Sequence, residues 1–306
     1  MNKSETEFLV GTASWTDRTL IETTDFYPAS MKTADERLRF YASQFRTVEV
    51  DSSYYAIPAE RNAELWHERT PPGFVFNIKA FAWLTQHHAD ATRLPKDIKA
   101  MLPTESRSER RLGFPPPDAL DMAFQMFWSA MRPLHEADAS AGGSLGKILF
   151  QFPPYFICKK SNFDYIESLK ERMPGASLAI EFRHPSWVAT DAQRKTTLDF
   201  LRSNDLCYVS IDAPQDKAIV PSFIAATGHE AYVRFHGRSR ENWFHRGGTA
   251  ADRFKYLYSE RELADRAEDL KKLGQQGVSR AYVIFNNCYR NFGIMNATTM
   301  AAMLRH

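Results

Sequence analysis

Eight short runs rich in β-branched and aromatic residues recur along this chain, most of them separated by stretches of helical character: Phe8–Ser14, Thr47–Ser53, Phe74–Ala80, Lys147–Phe152, Leu178–His184, Cys207–Asp212, Ala231–Gly237 and Ala281–Asn287. Strand and helix alternating through one chain imply a parallel sheet, and eight such units within 306 residues match the size at which the sheet closes on itself. The expected fold is α/β, a single (β/α)8 TIM-type barrel spanning residues 1–306, with a doubly wound open sheet as the alternative. Helices are expected at Ala34–Phe45, where Thr33 and Glu36 have capping-box spacing, and at Asn62–Arg69, Phe163–Arg172, Ala192–Ser203, Asp252–Leu273 and Ala297–Arg305.

Two places break the rhythm. Between Asp212 and Ala231 there is no helical pattern, only Pro214, Pro221 and a short apolar patch, so this crossover is expected to be irregular. The other is an inserted helical segment between strands 3 and 4, residues 81–146. Its Leu120, Phe124, Phe127, Met131 and Leu134 make one apolar helix stripe, flanked by loops at Glu105–Arg111, Pro115–Pro117 and Ala139–Gly146. It reads as an elaboration of one domain.

Composition narrows the class of function. Lys plus Arg number 39 against 37 Asp plus Glu, so no global field draws the chain to nucleic acid or membrane, and any anion preference must come from a local cluster. Residues Met1 to Phe8 lack a basic start followed by an apolar run, and no stretch is long enough to span a bilayer, so a cytoplasmic location is expected. Cys158, Cys207 and Cys288 are odd in number, far apart and without a CxxC pair, which argues for buried reduced thiols.

Alternate side chains of a strand share a face, which sorts each run into an outward and an inward set. Val233 and Phe235 oppose Arg234 and His236; Ile180 and Phe182 oppose Glu181 and Arg183. The same phase sends Glu49 and Asp51, Asn77 and Lys79, Gln151, Ser210 and Asp212, and Asn286 inward, all toward the C-terminal ends of their strands. Barrels of this kind carry their chemistry at that end. The alternative is a closed interior network in which Glu49, Asp51, Glu181 and Asp212 neutralise Lys79, Arg183 and Arg234.

Seven ordered motifs then amount to a resemblance: VGTASW (Val10–Trp15), VEVDSSYY (Val48–Tyr55), FNIKA (Phe76–Ala80), LFQFPPYF (Leu149–Phe156), AIEFRHPSW (Ala179–Trp187), VRFHGR (Val233–Arg238) and FNN with Asn296–Ala297. Together they resemble the YecE-like family, domain of unknown function 72. The resemblance implies a TIM-type barrel and no established activity. Ser14 stands where that family often has Gly, Asp51 where it often has Asn, and Cys288 where His or Asp commonly follows FNN.

The chemistry expected is binding of a small anionic ligand, a phosphorylated sugar- or nucleoside-like molecule. Glu181, His236, Glu49 and Asp212 are the acid/base candidates, and Lys79, Gln151, Arg183, Arg234, Arg238, Trp243, Asn286 and Asn287 would bind substrate. The basic, glycine-containing loop His236–Gly248 is the expected anion loop, since barrels often bind phosphate after strands seven and eight. Trp15, Tyr54, Tyr55, Trp187 and Trp243 lie where they could stack on a ring. His67, His87 and His88 read as surface residues. No metal site is assigned and no cofactor is firmly implied, although the carboxylates would admit Mg or Mn. The runner-up is a nucleic-acid-binding barrel using Arg107, Arg110, Arg111 and the Arg238–Arg246 loop. The oligomeric state is open. Gly142–Lys147 has Ala141 where a nucleotide loop needs its first glycine, and no GxSxG or GxGxxG occurs.

Overall fold

In the computed structural model, which describes residues 6–244 and 254–305, the eight strands are β1 (Glu7–Ala13), β2 (Thr47–Val50), β3 (Val75–Lys79), β4 (Ser144–Gln151), β5 (Leu178–Glu181), β6 (Cys207–Asp212), β7 (Glu230–Phe235) and β8 (Arg280–Phe285). They follow one another in chain order around a closed parallel barrel, with helices between strands, so the fold is a (β/α)8 TIM-type barrel. Each strand falls largely within its expected run. What the runs overextended is their polar ends: Asp51, Arg183, His236 and Asn286 lie just past the strands, in the loops that follow. β4 also starts earlier than expected, because Ser144 and Leu145, within the stretch read as loop, pair with Val75 and Phe76 of β3. Gly146 permits this, since a Cβ there would lie 2.7 Å from Asn77 Oδ1.

The structure divides into two compact units, Met1–Glu49 with Pro185–His306, and Val50–His184. In the first, β8 is the shared neighbour: Glu7–Thr12 of β1 and Glu230–Phe235 of β7 both pair with Arg280–Phe285. Outward Val233, Phe235, Val283 and Phe285 are fully buried, and Phe235 stacks on Phe285 at 4.6 Å. Of the expected helix over Asp252–Leu273, Asp252 and Arg253 lie outside the described residues, and from Phe254 on the helix is corrected to Glu260–Lys271. Ser259 caps it in a box with Glu262, while the preceding Tyr258 backbone is held in both directions by the side chain of Asn296. The terminal helix begins at Phe292, earlier than expected, and so includes Asn296. No helix lies between β6 and β7, as the prolines there suggested.

In the second unit, β3, β4 and β5 pair in order. The insertion's apolar stripe forms the helix Pro117–His135, opened by Pro117 in the first turn where its missing N–H costs nothing. Phe124, Phe127, Met131 and Leu134 are buried, Leu120 only partly, and Phe124 stacks on Phe150 of β4 at 6.5 Å. Glu105–Arg111, read as loop, contains the short 3-10 turn Thr104–Ser108. No helix among the described residues is long and apolar enough to cross a membrane. The three cysteines form no disulfide, and Cys207 alone is buried; Cys158 and Cys288 are half-buried.

Ser14 ends the first strand's run with φ of +77°, a left-handed conformation that favours glycine. Its N–H donates to Glu49 O at 2.8 Å, so the backbone cannot relax without breaking a contact to β2. Ser14→Gly is therefore expected to raise stability by about 1 kcal/mol in urea denaturation. A loss of stability would mean that the serine side chain, whose Oγ accepts from Thr16 N at 3.0 Å, matters more than the backbone strain.

Candidate functional site

In the first unit the inward residues of β2 and β7 meet in a closed pair. Glu49 and Arg234 are both fully enclosed; Glu49 Oε1 accepts from Arg234 Nη2 at 2.5 Å and Oε2 from Tyr232 Oη at 2.7 Å. Alternation on β7 puts Tyr232 and Arg234 on the same face, so one strand supplies both donors. Arg234, expected to hold an anion, is instead occupied by a carboxylate of the chain.

Asp212, at the end of β6, is saturated. Its Oδ1 accepts from Arg238 Nε at 2.7 Å and Tyr258 Oη at 2.8 Å, and its Oδ2 from Arg238 Nη2 at 2.7 Å and Arg266 Nε at 2.8 Å. Arg238 also reaches Glu262 at 3.1 Å, and its pKa is raised, chiefly by the bonds to Asp212. Burial, then Asp212's charge, holds the Tyr258 phenol well above its ordinary value. This network ties the ends of β6 and β7 to the helix Glu260–Lys271. Four donors occupy the Asp212 carboxylate, and Arg238 is committed to it rather than to an anion from solution. Gly237 makes the approach feasible: its φ is +89°, and a Cβ would meet that of Tyr256 at 2.6 Å.

His236 is fully buried, with Nδ1 2.9 Å from Asn286 Nδ2 and Trp243 edge-on at 6.0 Å. Asn287 donates to Tyr256 O and Asn296 Oδ1, pinning the segment before the capped helix. His245, Arg246, Gly247 and Gly248 of the expected anion loop lie outside the described residues.

The second unit holds a different arrangement. Lys79 ends β3, Gln151 ends β4, and Glu181 ends β5 with Arg183 two residues on. Glu181 Oε1 lies 2.5 Å from Arg183 Nε, while Arg183 Nη2 donates to Gln151 Oε1 at 3.0 Å, so the guanidinium is aimed by two strand ends. Lys79 Nζ is 3.6 Å from Asp51 and 4.8 Å from the centroid of the Tyr54 ring. Unlike Arg234, both cations reach the surface: their side chains are 13% and 12% exposed.

His87 joins them, although it was read as a surface residue. It is half-buried, edge-on to Tyr54 at 5.3 Å, with Nδ1 2.8 Å from Thr85 Oγ1. Thr85 directs its own proton to Ala82 O at 3.0 Å, so its oxygen accepts from His87 Nδ1–H and leaves Nε2 as the unprotonated nitrogen. Burial, followed by the positive charges of Lys79 and Arg183, pushes the imidazole pKa down to about 4. His67 also has a partner, the carbonyl of Gly143 at 2.8 Å from Nδ1; His88 is exposed. Sequence offered one hint of His87, its place in the loop after β3, and none of its neighbours.

Of the other expectations, Trp15 and Trp187 are buried in the core, and Tyr54, Tyr55 and Trp243 remain partly or largely exposed. Arg107 binds the carbonyls of Leu102 and Ala100, and Arg240 pairs with Asp216 at 2.8 Å, which weakens the case for a phosphate-tracking surface. Among the described residues no three of His, Cys, Asp and Glu converge as a metal ion would require.

Two outcomes follow from this geometry. Glu49→Gln leaves the Arg234 charge buried without its counter-ion and is expected to cost about 3–5 kcal/mol in urea denaturation; a loss under about 1 kcal/mol would contradict a closed pair. His87 has a folded pKa of about 4 against 6.5 for the free group, so the unfolded chain binds its proton more readily between these values. Stability should therefore hold steady above pH 6.5 and fall as the pH drops toward 4. His87→Gln should flatten that part of the profile, and an unchanged slope would show that His87 is not the group responsible.

The family model described as "Protein of unknown function DUF72" matches residues 9–306. UPF0759 protein YunF of Bacillus subtilis (strain 168) is 33% identical over 285 residues, covering 91% of this chain and 88% of its own length. The crystal structure of a DUF72 family protein from Thermotoga maritima MSB8 superposes with a TM-score of 0.74 at 29% identity, covering 98% of this chain and 100% of the other. A DUF72 family protein from Enterococcus faecalis V583 gives 0.75 at 25% identity, with 98% and 96% covered. With sequence and fold matched over nearly its whole length, the chain belongs to the DUF72 family.

Proposed function

We propose that this protein is an enzyme acting on a small anionic molecule, phosphorylated and sugar- or nucleoside-like, at the C-terminal ends of β3, β4 and β5. Lys79 and Arg183 hold the anion, Gln151 and Glu181 fix the Arg183 plane, and His87 accepts a proton through Nε2. The observation that carries this reading is the grouping of two partly exposed cations with an imidazole whose basicity is suppressed by burial and, after it, by their charges. An anion seated on Lys79 and Arg183 offsets those charges and raises the basicity of His87 against the burial that also depresses it, so binding strengthens the base beside the bound ligand. Glu49, Asp212, Arg234 and Arg238 take structural parts in this account, because each is already engaged by another side chain.

Inorganic phosphate is the simplest probe. NMR titration should place the His87 pKa near 4 in the free protein and move it toward 6.5 as phosphate saturates. Lys79→Met should raise the pKa of the free protein and weaken phosphate binding about tenfold, the scale of one lost charge-assisted hydrogen bond. A His87 pKa indifferent to both phosphate and Lys79 would overturn the reading.

A further inference from the structure

A second concavity adjoins the proposed anion site, and the two share Tyr54. The Tyr54 ring lies beneath Lys79 and also helps to line a cavity of about 320 Å³, at the small end of the range of about 300–1,000 Å³ typical of ligand sites. Tyr54 and Tyr55 meet at right angles, with centroids 5.1 Å apart, and form two walls of a corner. The floor is set by small side chains: Ala82 and Ala89 are buried lining residues, and Ala89 is fixed by paired backbone bonds with Leu112 at 3.0 and 2.9 Å. His88, edge-on to Tyr155 at 6.5 Å, and the pair Asp90 and Arg93, 3.7 Å apart, complete the lining.

This combination is suited to a flat ring. Two perpendicular aromatic faces over a floor of methyl groups accept a planar π-system, and Arg93 at the rim adds a cation that favours its electron-rich face or a further anionic substituent. A bare sugar phosphate would leave the tyrosine walls unused. Tyr55 is 54% exposed although it packs on Tyr54, so much of its ring is open to a ligand.

We infer that the Tyr54–Tyr55–Ala89–Arg93 cavity is the subsite for an aromatic or heteroaromatic ring, and that the ligand is a ring-bearing phosphate whose anionic group sits on Lys79 and Arg183. The inference rests on the anion-binding reading above for its second half, and on the cavity alone for its first.

Calorimetric titration with four probes separates the two halves: inorganic phosphate, ribose 5-phosphate, phenyl phosphate and phenol. Phenyl phosphate is expected to bind about tenfold more tightly than either inorganic phosphate or ribose 5-phosphate, within the range that stacking of a single ring contributes. Tyr55→Ala, at an exposed position that should not affect folding, should erase that advantage and leave the inorganic phosphate affinity within twofold, while Tyr55→Phe should keep it. Equal affinities for the three phosphates, or an advantage that survives Tyr55→Ala, would overturn the ring subsite. Phenol binding as tightly as phenyl phosphate, and lost in Tyr55→Ala, would leave a ring site standing and overturn the joint ligand together with the anion reading.

Discussion

A charge turned into the interior of a parallel barrel must find its counter-charge there, and this requirement organises the residues that face inward. Strand alternation forces the choice: on β7 the outward positions go to Val233 and Phe235, so Arg234 has nowhere to point but in. Leaving a buried guanidinium unpaired would cost about 3–5 kcal/mol, a large share of the roughly 5–15 kcal/mol by which a domain is stable. Glu49 removes that cost for Arg234, with Tyr232 satisfying the other Glu49 oxygen, and Arg238, Arg266 and Tyr258 do the same for Asp212. These pairs fix the sequence at several strand ends and leave little freedom for catalysis there.

Around Lys79 the same requirement is met with both cations partly exposed. Asp51 stands 3.6 Å from Lys79, beyond a direct hydrogen bond, and Arg183 shares itself between Glu181 and the neutral Gln151. Both cations are partly exposed, and their fields depress His87. Where the first unit closes Glu49 on Arg234 and surrounds Asp212 with Arg238, Arg266 and Tyr258, the second sets two partly exposed cations beside a neutral imidazole and a tyrosine-walled cavity. That difference, rather than the number of charges, distinguishes a site from a brace.

Much of the barrel was legible because its signals are local. Period-two alternation marked the strands and their inward residues, and the Thr33–Glu36 spacing gave a helix start that the structure bears out as a full capping box. What was not legible depends on partners far apart in sequence. Arg266 and Tyr258 reach Asp212 across 54 and 46 residues, so a saturated carboxylate looked like a candidate base. His87 looked like a surface residue because Lys79 precedes it within a loop whose path sequence does not give. Tyr258 lies in a stretch with helical composition, and tertiary bonds to Asn296 kept it extended. Ser14 is an instructive departure, since only its backbone angle explains why glycine suits that position in the family.

The most direct test of the central claim is to locate an anion by its own scattering. Crystals soaked in selenate and measured at the selenium edge should show an anomalous peak within hydrogen-bonding distance of both Lys79 Nζ and the Arg183 guanidinium, and the peak should vanish in Lys79→Met. A peak confined to other basic residues, or none near Lys79 at saturating selenate, would contradict the account.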